Sequence, residues 1–451
     1  MKVRALAAAL ILLVGVATGP GISRAEAADA LFVLGAVRTL EAHYVDPLQT
    51  PALLNAAIAS LEQRYHVQTL GGPIPDRASG SAAGALFTQR FDEILSQVEG
   101  QATPSQLAFE AVAGMLASLH DSHTAFIPPR AYQEQQRRED GAAAFVGIGI
   151  ETIERDGQYY VDQVYPGSPA AAGGVQPFDR IVAIDGQAVT ALGHDGVSGA
   201  IRGPAGSQVV LTVDRAGQPG SLDLRVVRAP IRVPRVTARM LGGGVGYIRI
   251  YEFVPGSGAS FRDAVFTLRN EGMRAMVLDL RGNPGGLVDE LKDVSTALLP
   301  QRSPFIKMRT RSGREVMLDT ADPPIVPPDV PIAAVVDEDT GSAAELLTAA
   351  LQEQSRAVII GTRTAGAVEV GITVHLPEGA GMSITVARVW SGKGARLEGN
   401  GVTPDDVVGL TTDAMNQGHD SQLDRAVEVI RGKLAALSGW RLVAAGAPRA
   451  A

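Results

Sequence analysis

A serine at a predicted strand-to-helix junction is the first candidate for chemistry in this chain. Ser342 lies in the stretch Thr340-Gly341-Ser342-Ala343-Ala344-Glu345, shortly after an apolar run that predicts a buried strand. A serine at the start of a helix exposes its hydroxyl beside backbone amides that could stabilise a developing oxyanion. Ser342 and Glu345 also have the spacing of a capping box, in which two side chains satisfy each other's backbone amides. Taken alone, the stretch favours a cap over a nucleophile.

A histidine in the first third of the chain is the candidate base. His123 lies in Asp121-Ser122-His123-Thr124, directly after a predicted helix. A serine hydroxyl needs a base to lose its proton near neutral pH, and histidine is the commonest one. By itself, a surface histidine in a turn is the simpler interpretation. Five other histidines are scattered without the spacing of metal ligands: His43, His66, His194, His375 and His419.

Two further segments carry groups that a reactive serine would need. The loop Gly282-Asn283-Pro284-Gly285-Gly286 follows a predicted buried strand, and its small residues expose amides that could complete an oxyanion hole. A turn that requires positive φ explains the same glycines. Glu398 lies among turn residues and could orient a base, although an exposed loop carboxylate is the simpler interpretation. The sequence contains no phosphate-binding motif of the type G-x-x-x-x-G-K-[ST].

The start of the chain has the pattern of a secretory signal, predicted over residues 1–27. Lys2 and Arg4 precede the apolar run Ala5 to Val16, and Ala25-Glu26-Ala27 is a small-x-small cleavage site. The apolar run is short for a membrane span, so an N-terminal anchor helix is the less favoured alternative. This pattern predicts a periplasmic or secreted protein.

The rest of the chain divides into regions that must position these groups. We expect a helical region at 28–143, with helices near 30–44, 53–61 and 104–119 and a loop or insertion at 70–85. Short strands and turns at 144–230 predict a compact β-rich module. Strands alternating with helices at 231–410 predict a mixed sheet covered on both faces, followed by a helical tail at 411–451.

Composition excludes several function classes. The 451 residues are 45% hydrophobic and 20% charged, which is ordinary for a soluble globular chain and argues against a multi-span membrane protein. The net charge of −8, without a basic block, makes nucleic-acid binding a poor candidate. Absence of cysteine excludes disulfides, thiolate metal sites and cysteine nucleophiles. No metal or organic cofactor is implied.

Taken together, these segments resemble the tail-specific, C-terminal processing family of serine peptidases over about residues 30–410. The matching motifs occur in the family's order: Tyr44-Val45-Asp46, the turn 121–124, the module 144–230, the loop 279–286, the stretch 341–345, Gly361 to Gly366 and Gly401 to Asp405. The resemblance implies a multidomain α/β protein with an N-terminal helical segment, a PDZ-like module and a crotonase-like ββα protease core. It also implies polypeptide substrates that are recognised near their C-terminus.

By the same resemblance, one segment of the PDZ-like module binds the substrate's C-terminus. It would act as the carboxylate-binding loop and the edge strand to which a peptide is added. Its residues are Phe145, Val146, Gly147, Ile148, Gly149 and Ile150.

One departure from the family affects the mechanism. The processing branch uses a lysine base in G-x-x-T-x-G-K, and Ala367 stands at the lysine position here. A methyl group cannot accept a proton, so a Ser–Lys dyad is excluded at that position. Resemblance to the tricorn-like branch instead implies Ser342 as nucleophile and His123 as base, with Ser122 and Glu398 orienting the imidazole. The oxyanion hole would be formed by the amides of Ala343 and either Gly285 or Gly286.

The predicted function is therefore an exported serine endopeptidase that forms an acyl-enzyme on Ser342. Two alternatives stay open at this point. One is a pseudoprotease that captures C-termini through its PDZ-like module, and the other is a binder of apolar ligands. Labelling of Ser342 by a fluorophosphonate favours the enzyme, whereas peptide binding by residues 144–230 without turnover favours the adaptor.

The pH dependence distinguishes the two kinds of base. A histidine has an unperturbed pKa of about 6.5, so we expect activity to fall on acidification through about pH 6–7. A lysine base must be deprotonated and would shift this fall to higher pH. The rate of fluorophosphonate labelling across the pH range measures the effect, and activity confined to strongly alkaline pH would contradict a histidine base.

Overall fold

The computed structural model describes residues 26–139 and 145–445. The predicted signal at 1–27 lies almost entirely outside the described residues, and so does the end of the predicted tail. The chain divides into two compact units, one ending at Phe126 and the other beginning at Ile127. Within the described ranges, no helix combines the length and the hydropathy needed to cross a membrane.

The first unit is helical, as predicted. Its helices are α1 (Glu26–His43), α2 (Thr50–Tyr65), α3 (Gly80–Gln97) and α4 (Pro104–Ala117). Three of them coincide with predicted helices. The loop predicted at 70–85 is wrong from Gly80 onward, where α3 begins.

Helix α3 escaped prediction because its first turn is rich in glycine, serine and alanine. Ser79 caps it by accepting a hydrogen bond from the backbone N–H of Ala82. Its apolar face, which includes Phe87 and Phe91, is fully buried. Burial of that face stabilises the helix despite the weak helix propensity of its start.

The β-rich module follows a short connection. The elements up to its end are β1 (Ala125–Ile127), α5 (Pro129–Glu139), β2 (Phe145–Gly147), β3 (Ile150–Arg155), β4 (Gln158–Val164), α6 (Pro169–Ala172), β5 (Arg180–Ile184), β6 (Gln187–Ala188), α7 (Gly193–Ile201), β7 (Gln208–Asp214), β8 (Leu222–Val227) and β9 (Ala229–Ile231). Its antiparallel sheet has the order β3-β4-β5-β7-β8, with β6 beside β5. Strand β3 is therefore at the edge of this sheet.

The α/β core occupies the next stretch of the second unit. Its elements are β10 (Val236–Met240), β11 (Val245–Ile250), α8 (Ser257–Asn270), β12 (Ala275–Asp279), α9 (Val288–Leu298), β13 (Pro304–Thr310), β14 (Glu315–Asp319), β15 (Ile332–Val336), α10 (Ala343–Glu353), β16 (Val358–Gly361), β17 (Val370–His375), β18 (Gly381–Ser391) and β19 (Asp406–Val407). Helices α11 (Thr412–Asn416) and α12 (Ser421–Ala445) follow.

The main sheet has the order β10-β11-β12-β15-β16-β19. Strand β10 is antiparallel to β11, and the remaining pairs are parallel. Alternate residues of β11 and β12 face opposite sides, as strand geometry requires. Met276 and Leu278 belong to the core cluster with α8, α9 and α10, whereas Ala275 and Val277 pack with Ile430 of α12. The predicted mixed sheet with two covered faces is confirmed.

A second core sheet was not anticipated from the sequence. Strands β17, β18, β13 and β14 pair antiparallel, with β18 joined to both β17 and β13. Glu369, directly before β17, is buried and accepts a hydrogen bond from the backbone N–H of Val389 in β18 (2.7 Å). The α/β multidomain fold class is confirmed, whereas the domain boundaries at 143/144 and 230/231 stay predictions.

Candidate active site

Ser342 occupies a sharp turn between β15 and α10. Its φ of 51° and ψ of −118° are unusual for a residue with a side chain, and they match the strained turn that exposes a nucleophile at the start of a helix. The backbone N–H of Ser342 donates to the carbonyl oxygen of Ala367 (2.8 Å) and to Oε2 of Glu345 (3.1 Å). These acceptors hold the turn in place, and the second is the bond to Glu345 that the capping interpretation predicts.

The glycine loop lies directly against this turn. A Cβ atom on Gly285, whose φ is 99°, would lie 2.5 Å from Cβ of Ser342 and 2.7 Å from the backbone nitrogen of Ala343. Only glycine allows this approach. The backbone N–H of Gly341 donates to the carbonyl oxygen of Asn283 (2.8 Å), which joins the loop to the serine segment.

The loop amides differ in their availability. The N–H of Gly285 donates to Oδ1 of Asn283 (2.8 Å), so the side chain within the loop already occupies it. The N–H groups of Gly286 and Ala343 have no hydrogen-bond partner among the described residues. Of these three amides, those of Gly286 and Ala343 can therefore donate to a new acceptor.

A buried ion pair anchors the start of the loop. Asp279, at the end of β12, is fully buried and accepts hydrogen bonds from Arg281 Nη2 (2.6 Å) and from the hydroxyl of Tyr247 (2.8 Å). Burial alone would raise the pKa of Asp279, but the guanidinium groups of Arg281 and Arg249 hold it well below its usual range. The N–H of Gly282 donates to Asp337 (2.9 Å), which fixes the next residue of the loop.

The predicted base lies in the first unit, in the turn after α4. Nδ1 of His123 lies 2.8 Å from Oγ of Ser122, within hydrogen-bond distance. The backbone N–H of His123 donates to Oδ1 of Asp121 (3.0 Å), whose other oxygen accepts from the hydroxyl of Tyr44 (3.0 Å). The structure thus brings Ser122 and His123 together, and Asp121 is a support for this turn that the sequence analysis did not single out.

Glu398 lies in the second unit and is linked to the serine turn by hydrogen bonds through an intervening segment. Its Oε2 accepts a hydrogen bond from the N–H of Val368 (2.8 Å). Val368 directly follows Ala367, whose carbonyl oxygen accepts the Ser342 N–H. Two consecutive residues therefore connect the candidate nucleophile to the candidate orienting carboxylate.

A second carboxylate near Glu398 has no motif that would have marked it in the sequence. Glu369 is almost completely buried, and Nη1 of Arg388 lies 3.4 Å from its Oε1. Burial raises the pKa of Glu369, Arg388 opposes this rise, and the charge of Glu398 adds to it. Its proximity to Glu398 depends on the pairing of β18 with its neighbours, which local sequence patterns do not encode.

The predicted peptide-binding segment is divided between two strands. Phe145, Val146 and Gly147 form β2, which pairs with β9 as a separate ribbon, so they are not part of the edge of the β-rich module's antiparallel sheet. Ile148 is buried, and Gly149 has a φ of 83°. Only Ile150 of the predicted segment belongs to β3, the edge strand of the β-rich module's antiparallel sheet.

The candidate groups are Ser122 and His123 in the first unit and Ser342 and Glu398 in the second. Among the residues that the structure describes, no group of three or more His, Asp or Glu side chains could hold a metal ion. The serine side offers a hydroxyl, two available amides and the Glu398 carboxylate, which is linked to the serine through hydrogen bonds to Ala367 and Val368. These groups suit nucleophilic acyl transfer.

Comparison with known proteins gives the same outline. Residues 244–408 match the family model Peptidase family S41, and residues 160–215 match the PDZ domain model. A carboxy-terminal-processing protease of Bartonella bacilliformis is 31% identical over 343 residues, covering 75% of this chain and 78% of that protein. The carboxy-terminal processing protease CtpA of Bacillus subtilis is 29% identical over 330 residues, covering 72% and 69%.

One solved structure extends the likeness to the fold. The photosystem II D1 C-terminal processing protease is 25% identical, with a TM-score of 0.50, and the match covers 86% of this chain and 96% of that chain. The similarity therefore includes the helical segment, the β-rich module and the α/β core.

The close approach of Gly285 to Ser342 generates a first test of the site. We expect Gly285→Ala to lower Ser342 labelling by a fluorophosphonate by about 10²-fold, because the new methyl group displaces the serine or an oxyanion-hole amide. Gly313→Ala is the matched control, since Gly313 also has positive φ (78°) but no atom within 4 Å of an added Cβ. Equal labelling rates for the two variants would contradict the proposed role of the loop.

The buried ion pair generates a stability prediction. We expect Asp279→Asn to lower the free energy of unfolding by about 3 kcal/mol, because it leaves the guanidinium of Arg281 buried with less compensation. Urea unfolding measures the change. Asp263→Asn, at an exposed position on α8, should change stability by no more than about 0.5 kcal/mol. A similar stability for both variants would show that the buried pair does not anchor the loop.

Proposed function

Because this chain belongs to the carboxy-terminal processing proteases of peptidase family S41, we propose that it is an exported serine endopeptidase acting on polypeptides recognised near their C-terminus. The observation that carries the proposal is the strained turn of Ser342, held between Ala367 and Glu345 and lying against the glycine loop. Export is proposed from the signal pattern at 1–27.

In the proposed reaction, Ser342 is the nucleophile and His123 is the general base. Nε2 of His123 takes the proton of the Ser342 hydroxyl as Oγ attacks the scissile carbonyl carbon. The protonated imidazole then donates this proton to the leaving amine, and an acyl-enzyme remains on Ser342. A water molecule, deprotonated by the same imidazole, hydrolyses the ester and regenerates the hydroxyl.

The oxyanion of the tetrahedral intermediate would accept hydrogen bonds from the N–H groups of Ala343 and Gly286. We choose Gly286 over Gly285 because the Gly285 amide already donates to Asn283. Both chosen amides lie beside the serine turn, and the start of α10 adds a favourable helix dipole.

Ser122 and Glu398 would orient and stabilise the imidazolium. Because Nδ1 of His123 lies within hydrogen-bond distance of Ser122 Oγ, we assign Nε2 as the ring nitrogen that would act on Ser342. The Glu398 carboxylate, which accepts from Val368 directly after the Ser342 acceptor Ala367, would supply a negative charge to stabilise the imidazolium. Ala367 offers only a methyl group at the family's lysine position, so the base must come from elsewhere in the chain.

The PDZ domain would select the substrate. We place the incoming C-terminus beside β3, because an edge strand offers unpaired backbone groups to which an extended peptide can be added. The loop at 147–149 would lie at the carboxylate end of that peptide.

The central experiment compares labelling of Ser342 in histidine variants. We expect His123→Ala to lower the rate of fluorophosphonate labelling by about 10²–10⁴-fold, the usual contribution of a general base. His120→Asn is the control, because His120 lies in the same turn at positive φ (49°), which asparagine tolerates. Ser342→Ala should not be labelled at that position.

The outcomes separate the candidate functions. Undiminished, Ser342-dependent labelling of His123→Ala would exclude His123 as the base. A wild-type protein that binds peptide C-termini but shows neither labelling nor turnover would instead be an adaptor without peptidase activity.

A further inference from the structure

Glu345 makes more contacts than a helix cap requires. It lies in the first turn of α10 and its side chain is fully buried. In a capping box, the glutamate side chain makes a single bond, to the backbone N–H of the N-cap residue, which is Ser342 here. Its carboxylate also accepts hydrogen bonds from the backbone N–H of Gly366 (2.7 Å), from the backbone N–H of Ala367 (2.9 Å) and from the hydroxyl of Thr364.

These donors compensate the buried carboxylate without a cation. Among the described residues, no lysine or arginine forms an ion pair with Glu345. Burial of an unpaired carboxylate is costly unless hydrogen bonds satisfy it. Three backbone amides and one hydroxyl do so here, and hydrogen bonds to a charged acceptor are stronger than those between neutral groups. The carboxylate therefore holds its donors firmly in place.

The donors belong to two segments whose relative position the proposed reaction requires. One is the serine turn, and the other is the stretch Thr364 to Ala367, which ends at the family's lysine position. Val368, the next residue, donates its N–H to Glu398. Glu345 thus holds the segment through which hydrogen bonds link Ser342 to Glu398.

We propose that Glu345 is a positioning residue for the peptidase reaction, clamping the stretch 364–367 to the serine turn so that Ser342 and Glu398 keep their spacing. The inference rests on the proposed function. In an enzyme with a lysine at 367, that side chain could span part of this site. In this chain Ala367 contributes hydrogen bonds of its backbone, and its N–H donates to Glu345.

The strained turn makes this clamp consequential. Ser342, at φ 51° and ψ −118°, has a strained backbone conformation that persists only because its surroundings hold it. In Glu345→Gln one carboxylate oxygen becomes an NH2 group, which cannot accept a hydrogen bond. Either the N–H groups of Ser342 and Ala367 or the Gly366 N–H and the Thr364 hydroxyl then lose their shared acceptor, and the turn can relax. A displacement of about 1 Å at a reacting group lowers a rate by about 10²-fold.

The test compares Glu345→Gln with Glu353→Gln. Glu353 lies at the other end of α10, where its carboxylate accepts from the hydroxyl of Ser391 and the N–H of Lys393, and it therefore controls for loss of a helix carboxylate. With the fluorophosphonate probe, we expect Glu345→Gln to lower the maximal inactivation rate by about 10²-fold, with less than about threefold change in the half-saturating probe concentration. Glu353→Gln should change neither value.

A second pair of variants covers the case in which Glu345→Gln does not fold. Thr364→Val removes the hydroxyl that donates to Glu345, and Thr364→Ser keeps it. We expect the valine variant to label about tenfold more slowly and the serine variant to label at the wild-type rate. Equal labelling by both variants would overturn the clamp.

The failure of this inference differs from the failure of the proposed function. A folded Glu345→Gln variant labelled at the wild-type rate overturns the clamp while leaving the peptidase assignment in place. Absence of Ser342 labelling in the wild-type protein overturns the proposed function itself. A purely structural role for Glu345 predicts a lower melting temperature with an unchanged maximal rate in the folded fraction, which also overturns the clamp.

Discussion

The hydrogen bonds of the Ser342 backbone N–H are the interaction on which the candidate site depends. They hold a residue with a side chain at positive φ, where it would not stay without support. One acceptor is a carbonyl of the stretch 364–367, and the other is the carboxylate of Glu345. The glycine loop can approach the turn only because Gly285 has no Cβ. One set of backbone contacts thus connects the candidate nucleophile, the proposed oxyanion amides and the proposed orienting carboxylate.

A buried charge cluster around Arg249 contacts the start of the glycine loop and connects it to the β-rich module that contains the PDZ domain. Nη2 of Arg249 donates to Glu151 on the edge strand β3 (3.0 Å) and to the carbonyl oxygen of Arg281 at the head of the glycine loop (3.1 Å). Burial raises the pKa of Glu151 and of Asp162, although Arg249 opposes the rise in both. The same guanidinium therefore contacts the strand proposed to receive a peptide and the loop proposed to bind the oxyanion.

The alanine at the lysine position changes how the site is built. A lysine base combines proton transfer and contact with the nucleophile in a single side chain, whereas here these tasks fall to different groups. The carbonyl oxygen of Ala367 contacts the Ser342 N–H, Glu345 holds that stretch in place, and the proton acceptor is proposed to be His123. The chain keeps the motif order of the family. At position 367, however, the lysine side chain is absent, and the segment is held by backbone hydrogen bonds that the family motif does not describe.

The sequence by itself identified the family, the α/β class and the candidate residues Ser342, His123 and Glu398. Each motif and each hydrophobic period is a local property of the chain, and the order of the motifs can be read directly from the sequence. Tertiary structure alone decided that the Gly285 amide is occupied, that Ile150 rather than Phe145 begins the edge strand, and that Glu345 binds more than its own helix. Helix α3 and the sheet that contains β17 and β18 were likewise evident only from the structure. These features depend on which donor meets which acceptor once the chain has folded, within one loop for Asn283 and Gly285 and between separate segments for Glu345 and Ala367, and residue spacing does not specify such pairings.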